Sequence, residues 1–396
     1  MSAGLFFPGP AGKKPTSCDK INRSSYMKEV LLHTMSDVKR GDFKQLLKEL
    51  TEVPGPPGHE GPVRKLMARW TAPVADEVTS DHLGALIARK GADGPRIMVA
   101  GHLDEIGFMV TRITEEGFLR FQPLGGWWSQ VVSAQRVEVM TDQGSVLGVV
   151  GSKPPHLLPP DQRRKAVSLE ELFIDVGASD KEEVEAMGIR PGDVAVPWSP
   201  FTVMGNSKHW LGKAMDNRMG CAVAVEVLRR LSQTDHPNTV YGVGTVMEEV
   251  GRRGAHTATA AVRPDIGIAV DVGIAGDTPG INKDQAPCRL GDGPQLVLYD
   301  AGHLPHRGLV RLVQDVAKKE GIPLQYEWIA RGATDASHIH LFDKGVPAIS
   351  LGVPARYIHS HTSIIHQDDV ERLIHLLVAV IHRLDRETVD RLCQGL

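Results

Sequence analysis

Cysteine is scarce. The 396 residues hold four, Cys18, Cys221, Cys288 and Cys393, widely scattered and never in a Cys-x-x-Cys spacing. This excludes a disulfide framework and a zinc–thiolate site, and suits free thiols in a reducing, cytoplasmic compartment. Long apolar runs are missing too: none approaches the roughly 20 residues of a membrane-spanning helix. Neither sign of charge dominates, with 45 Lys and Arg against 48 Asp and Glu and a net charge of −3. The balance gives no electrostatic reason to expect nucleic acid or an anionic membrane as a partner. The short tract Leu5-Phe6-Phe7, cut off by Pro8 and Pro10, is too short to support reading a signal peptide there. What is present is the composition of an ordinary globular protein, 41% hydrophobic and 23% charged. Its length suffices for one large domain plus an inserted or second one.

Residues 1–40 show no sustained apolar period and read as a disordered tail. Order begins near Asp42. Helical spacing covers Phe43 to Leu50 and Gly61 to Thr71, on either side of the rigid loop Val53–Gly58. Arg96 to Ala100 reads as a short buried strand. From about Phe108 to Lys208 the texture changes to short alternating strands, such as Arg136–Met140 and Ser145–Val150, separated by Gly and Asp turns. This reads as a small β domain, 108–208, inserted into an α/β chain formed by 41–107 and 209–396. Trp127 and Trp128 there are most simply core or subunit-contact residues. The α/β pattern then resumes. Helices are expected over Met219–Leu231, Ala255–Val262, Arg307–Glu320 and Asp368–Arg383. Strands are expected over Thr239–Met247, Ile266–Val270, Gln295–Tyr299, Leu324–Ile329 and Ala348–Leu351. The turn Gly332–Ala336 enters a helix and offers weak evidence of an anion site.

The chemistry gathers at the strand ends. Glu248 and Glu249 follow one buried strand. On their own they are read most simply as two solvated acids in a turn, although a metal held by one and a general base in the other would also account for the pair. His102 and Asp104 follow another strand, two apart and therefore on one face of an extended backbone. A metal ligand with its orienting carboxylate and a hydrogen-bonded turn histidine explain that pair equally well. Asp271 follows a third strand. Asp216 opens a helix, where capping is the plain explanation, and His359 follows Ala355-Arg356-Tyr357-Ile358. Each residue has a bland reading. Their joint placement does not, because the C-terminal ends of strands in an open α/β sheet form its ligand crevice. Imidazole and carboxylate ligands without thiolates suit Zn²⁺, Co²⁺ or Mn²⁺, and several carboxylates together can hold two ions.

The stretches Gly101–Phe108, Lys213–Arg218, Glu248–Gly251, Asp271–Gly273 and Arg356–Ser360 occur in that order. Together they resemble the TET-type di-metal aminopeptidases, the glutamyl, lysyl and leucyl group that includes deblocking aminopeptidases. The likeness runs from about Asp42 to the C-terminus. It implies a phosphorylase/hydrolase-like mixed-sheet α/β catalytic domain with an inserted small β-barrel-like dimerisation domain. It further implies dimers assembling into a homo-oligomeric dodecamer. Carried over, the likeness makes Asp216 the carboxylate bridging two divalent ions, Zn²⁺ or Co²⁺ first and Mn²⁺ after them. His102 and Asp271 then complete one metal, Glu249 and His359 the other. Glu248 matches the general base, and Asp104 the carboxylate that orients His102. Ser360-His361-Thr362-Ser363 departs from the family pattern and makes His361 a rival to His359, with His366 a weaker one; both read structurally as exposed loop histidines. The expected function is removal of N-terminal residues from peptides. A related metal-dependent hydrolase acting on another amide or a glycosidic bond is the alternative, and the complete ligand set argues against a silent scaffold.

Overall fold

The computed structural model describes residues 43–394, so the tail expected over 1–40 lies outside the described residues. Helices α1 (Phe43–Glu52) and α2 (Gly61–Thr71) come first, followed by strands β1 (Glu77–Ser80), β2 (Leu86–Lys90) and β3 (Arg96–His102). The next segment holds β4 (Gly107–Ile113), β5 (Phe118–Leu124), β6 (Arg136–Thr141), β7 (Gly144–Gly151), β8 (Phe173–Asp175), α3 (Lys181–Ala186) and β9 (Val194–Pro197). Then come β10 (Thr202–Val203), β11 (His209–Gly212), α4 (Met215–Leu231), β12 (Thr239–Thr245), α5 (Arg253–Val262) and β13 (Ile266–Ile274). The remainder is β14 (Gln295–Tyr299), α6 (Arg307–Glu320), β15 (Gln325–Trp328), α7 (Ala336–Ile339), β16 (Ala348–Ala355), β17 (Ser363–His366), α8 (Gln367–His382) and α9 (Arg386–Cys393). Among the described residues no helix is long and apolar enough to cross a membrane.

An eight-stranded mixed sheet runs in the order β1-β2-β12-β3-β13-β16-β14-β15. Its centre, β12-β3-β13-β16, is parallel, and antiparallel pairings flank it at β2 and β14. Parallel strands covered on both faces must be apolar throughout, and β3 meets that demand. Ile97 and Val99 pack into the core beneath α4 and α8, whereas Met98 and Ala100 join a second cluster with Ala258 of α5 and Ile339 of α7. The period-two alternation therefore sends successive side chains into different cores. Helix α4 lies very close to β3: a Cβ at Gly101 would fall 2.5 Å from the carbonyl carbon of Gly220. Gly101 needs glycine for that approach, and Gly220 needs it because a Cβ there would fall 2.4 Å from the Val270 carbonyl oxygen of β13.

The strands β4-β5-β8-β7-β6-β9 close into a barrel with its own core of Phe108, Leu119, Val137, Val139 and Ile174. Its last strand ends at Pro197, and β10 pairs outside it, in a three-stranded sheet with β11 and β17. Trp127 stacks on Phe108 at 4.7 Å and donates its indole N–H to the Gly107 carbonyl, which makes it a barrel-core residue; Trp128 is 61% exposed.

Several boundaries differ from those expected. Strand β3 runs on to His102, and β13 runs on to Ile274 because Asp271 pairs with Gly352 of β16. Asp271 therefore lies inside a strand. Strand β12 stops at Thr245, and Met247 takes a positive φ of 54°, which puts Glu248 and Glu249 in the turn that follows.

Candidate metal centre

The register of the parallel strands fixes the floor of the site. Thr245 of β12 lies opposite His102 of β3, so His102 and the Glu248–Glu249 turn leave the sheet side by side. His102 is 2% exposed. Its Nδ1 lies 3.0 Å from the main-chain oxygen of Asp104 and 3.5 Å from the Asp104 carboxylate. With Nδ1 donating to that main-chain oxygen, Nε2 is left facing Asp216 Oδ1 at 3.0 Å and Asp271 Oδ1 at 4.0 Å.

Asp216 does not cap α4. Ala214, in the left-handed region, stands at the helix start, and Asp216 itself has non-helical angles of φ −83° and ψ 105°. Asn217 anchors the turn by donating from Nδ2 to the Val270 carbonyl and accepting at Oδ1 from the Gly220 N–H. The Asp216 carboxylate is thereby turned toward the strand ends. Its Oδ1 meets His102, and its Oδ2 lies 3.5 Å from Nε2 of His359. One carboxylate thus stands between two imidazoles.

His359 arrives from the loop after β16, in which both Tyr357 and His359 have positive φ. The hydroxyls of Ser360 and Ser363 donate to the Tyr357 carbonyl and hold this strained segment. His359 Nδ1 donates to the carbonyl of Gly126, in the loop leaving β5, at 2.8 Å. Its Nε2 also lies 3.5 Å from Glu249 Oε2.

Asp104, fully buried, accepts the backbone N–H of Glu248 at Oδ1 and that of Glu249 at Oδ2, each at 3.0 Å. Its carboxylate therefore fixes the Glu-Glu turn as well as flanking His102. Ligand atoms of His102, Asp216 and Glu249 all lie within 4.8 Å of one another.

The electrostatics are those of a site short of positive charge. Burial and the nearby Asp216 push Glu249 up to about 7. Burial, followed by Asp216, raises Asp271 well above the ordinary aspartate range, and burial does the same to Glu248. Burial opposes the His102 cation, but hydrogen bonds to Asp104 and Asp216 outweigh it and hold this histidine well above its usual value. Burial is outweighed in the same way at His359, which rises to about 10 through Asp216 and Glu249. Burial alone would raise Asp216, yet hydrogen bonds from the two histidines bring it below its normal range. Protons here stand in for cations, and the donor set of carboxylates and imidazoles fits divalent metal.

Neither His361 nor His366 pairs with a carboxylate among the described residues. His366, expected in an exposed loop, is buried at the end of β17. It caps α8 by accepting the Asp368 N–H at Nδ1 and packs edge-on against His209. His361 is half-buried.

Other residues gain importance only in three dimensions. Asp335, in the turn read as a weak anion site, opens the short α7 and is itself buried. It accepts the Thr245 hydroxyl at 2.5 Å, and burial raises it to about 6. Glu105, Lys213 and Arg218 form a buried ion network in which Lys213 Nζ and Arg218 Nη2 reach Glu105 Oε1 at 2.5 and 3.2 Å. Arg218 also donates to the carbonyls of Leu50, Leu103, Val53 and Gly55, tying α4 to α1 and to two loops. The only sequence signal for this network was that charged residues stood inside the same motifs as the metal ligands. A small open cleft borders the centre, with Glu105, Asp216, Glu249, His359, Ser360 and Ser363 among its walls.

A family model described as M42 glutamyl aminopeptidase matches residues 84–376. The putative aminopeptidase FrvX of Escherichia coli is 40% identical over 351 residues, covering 88% of this chain and 98% of the relative. Among solved structures, a TET aminopeptidase from a marine-sediment Thaumarchaeota archaeon superposes with a TM-score of 0.87. It is 46% identical and covers 88% of this chain and 98% of its own. The TET1 peptidase of Pyrococcus horikoshii superposes at 0.78 with 32% identity, covering 87% and 100%; its structure is described as assembling into a tetrahedron or a large octahedral shell.

Proposed function

The chain belongs to the M42 glutamyl aminopeptidase family, and from that premise we propose that it cleaves N-terminal residues from peptides with two divalent ions and Glu248 as general base. Asp216, His102 and Asp271 would hold one ion, and Asp216, Glu249 and His359 the other. The observation that carries this reading is the Asp216 carboxylate, with one oxygen toward each imidazole. Zinc or cobalt, and after them manganese, would supply Lewis-acid charge to the scissile carbonyl and to the attacking water.

The chain's own groups do the rest. Glu248 takes the proton of the attacking water and hands it to the leaving amine; burial raises its proton affinity toward that task. Asp104 holds Glu248 and Glu249 in their separate directions through their backbone N–H groups. The barrel segment is assigned to contacts between subunits, with dimers building a dodecamer. The TET1 relative that forms a dodecamer and larger shells supports the dodecameric part of this assignment.

The test is a panel of aminoacyl-anilides given to metal-free protein reconstituted with Zn²⁺, Co²⁺ or Mn²⁺, with elemental analysis of the loaded enzyme. Acylated amino acids and a glucan serve as controls. Two ions per chain and cleavage of the free-amine substrates are expected. Saturation at one ion, or turnover confined to the controls, refutes the reading.

A further inference from the structure

An enzyme that removes N-terminal residues must recognise the free α-amine as well as the scissile bond. The amine nitrogen and the scissile carbonyl carbon are only roughly 2.5 Å apart, set by two bonds and the angle between them. Its acceptor must therefore lie in the wall of the same cleft as the metal ligands.

Glu105 occupies that wall beside Asp216, Glu249 and His359. It is 1% exposed. Its Oε1 is saturated, accepting Lys213 Nζ at 2.5 Å, Arg218 Nη2 at 3.2 Å and the Gly55 N–H at 3.2 Å. Its Oε2 has no partner. A buried carboxylate oxygen without a donor is costly. Of the other polar walls, Ser360 and Ser363 spend their hydroxyl hydrogens on the Tyr357 carbonyl and are uncharged acceptors, and Asp216, Glu249 and His359 face one another. Ile106, Pro197 and Ala214 offer no polar side chain.

We propose that Glu105 Oε2 is the acceptor for the α-amino group of the peptide substrate. Two cations on Oε1 already balance the carboxylate, so Oε2 suits the uncharged amine as an N–H donor. The ion network thus acts as a brace that presents one oxygen to the substrate. This rests on the aminopeptidase reading above.

Paired inhibitors test it. Leucine hydroxamate and its des-amino analogue, 4-methylpentanohydroxamate, differ only at the amine. Inhibition constants are measured on the metal-loaded wild-type enzyme and on Glu105→Gln, which keeps an oxygen for Lys213 and Arg218. The wild type should prefer the amine-bearing compound, and Glu105→Gln should lose roughly 10–100-fold of that preference while binding the des-amino compound within a few-fold of wild type. Equal weakening of both compounds, or an unchanged ratio, overturns the proposal. No preference in the wild type refutes the aminopeptidase reading itself. Should Glu105→Gln not fold, wild-type enzyme decides with α-hydroxy and α-methoxy analogues. The hydroxyl can donate and should retain affinity, the ether cannot and should lose it, and equal binding of the two overturns the assignment.

Discussion

Replacing Asp104 by Asn should loosen metal binding more than it disturbs the fold. The two oxygens of the buried Asp104 carboxylate each accept a backbone N–H of the Glu248–Glu249 turn at 3.0 Å. Asn keeps one acceptor and turns an NH₂ toward the other donor. One hydrogen bond to a charged acceptor is lost and one buried N–H is left facing a donor, a loss of about 1.5–3 kcal/mol. His102 should feel less, because its Nδ1 lies nearer the main-chain oxygen of Asp104, which the substitution leaves in place. The loss therefore falls on the turn that carries Glu249. A turn that must be re-ordered when metal binds passes its cost to the metal, which corresponds to roughly 10–100-fold weaker affinity. Competition against a chromophoric chelator measures this on wild type and Asp104→Asn, with circular dichroism as the check on folding. A folded Asp104→Asn protein whose metal affinity stays within two- to three-fold of wild type, itself an order-of-magnitude bound, would show that these two hydrogen bonds do not hold the site.

Glu248→Gln should retain metal and lose roughly 10²–10⁴-fold in kcat, whereas Glu249→Gln should lose metal and recover partly in excess Zn²⁺; metal analysis beside turnover separates the two, and near-neutral effects at both would return them to solvated acids. Metal-free protein should lose stability as pH rises. Glu249 and Glu327, each raised by burial to about 7, and His359, raised to about 10, bind protons more strongly folded than unfolded. Their stabilising protons are fully present below the unfolded pKa values and are lost as pH climbs through the folded ones. Urea unfolding in a chelator at pH 5.5, 7.5 and 9 should show the decline, and stability that rises with pH would contradict it. Trp127→Ala should unsettle the barrel core, while the exposed Trp128→Ala should change oligomeric size before metal content; light scattering that finds unchanged assembly in folded Trp128→Ala counts against a subunit role for that indole.

Much of the sheet's centre was legible because it is apolar on both faces. The strands around Ile97–Ala100 and Ile266–Val270 read as buried runs, and the metal candidates follow or end them. The errors came from what a strand cannot report about its neighbours. Asp271 looked like a residue beyond a strand, since a carboxylate there breaks the apolar run; only pairing with Gly352 carries β13 past it. The peripheral β1 escaped notice because its burial alternates weakly and three of its four residues are exposed. Four-residue β17 was hidden by its brevity, and His366 at its end looked like loop when it is a helix cap. The Glu105 network was invisible for a different reason. Glu105 is more than a hundred residues from Lys213 and Arg218 in sequence, and nothing local distinguishes a buried Lys213 from a solvated one. The turn Gly332–Ala336 carries only weak sequence evidence of an anion site, and in the fold its Asp335 carboxyl is buried and accepts the Thr245 hydroxyl.

The Gly126 carbonyl that receives His359 Nδ1 comes from the loop leaving β5, a strand of the barrel, while the metal-facing side of the same imidazole belongs to the sheet. One ring is thus oriented by two separately packed cores. Thermodynamic reciprocity then applies. Any contact that steadied the β5 loop would favour metal binding beside His359 by some free energy, and metal bound there would steady the loop by the same amount. If subunits join through the barrel, as proposed, stripping metal should loosen the assembly, and dispersing the assembly should weaken metal binding by the same free energy.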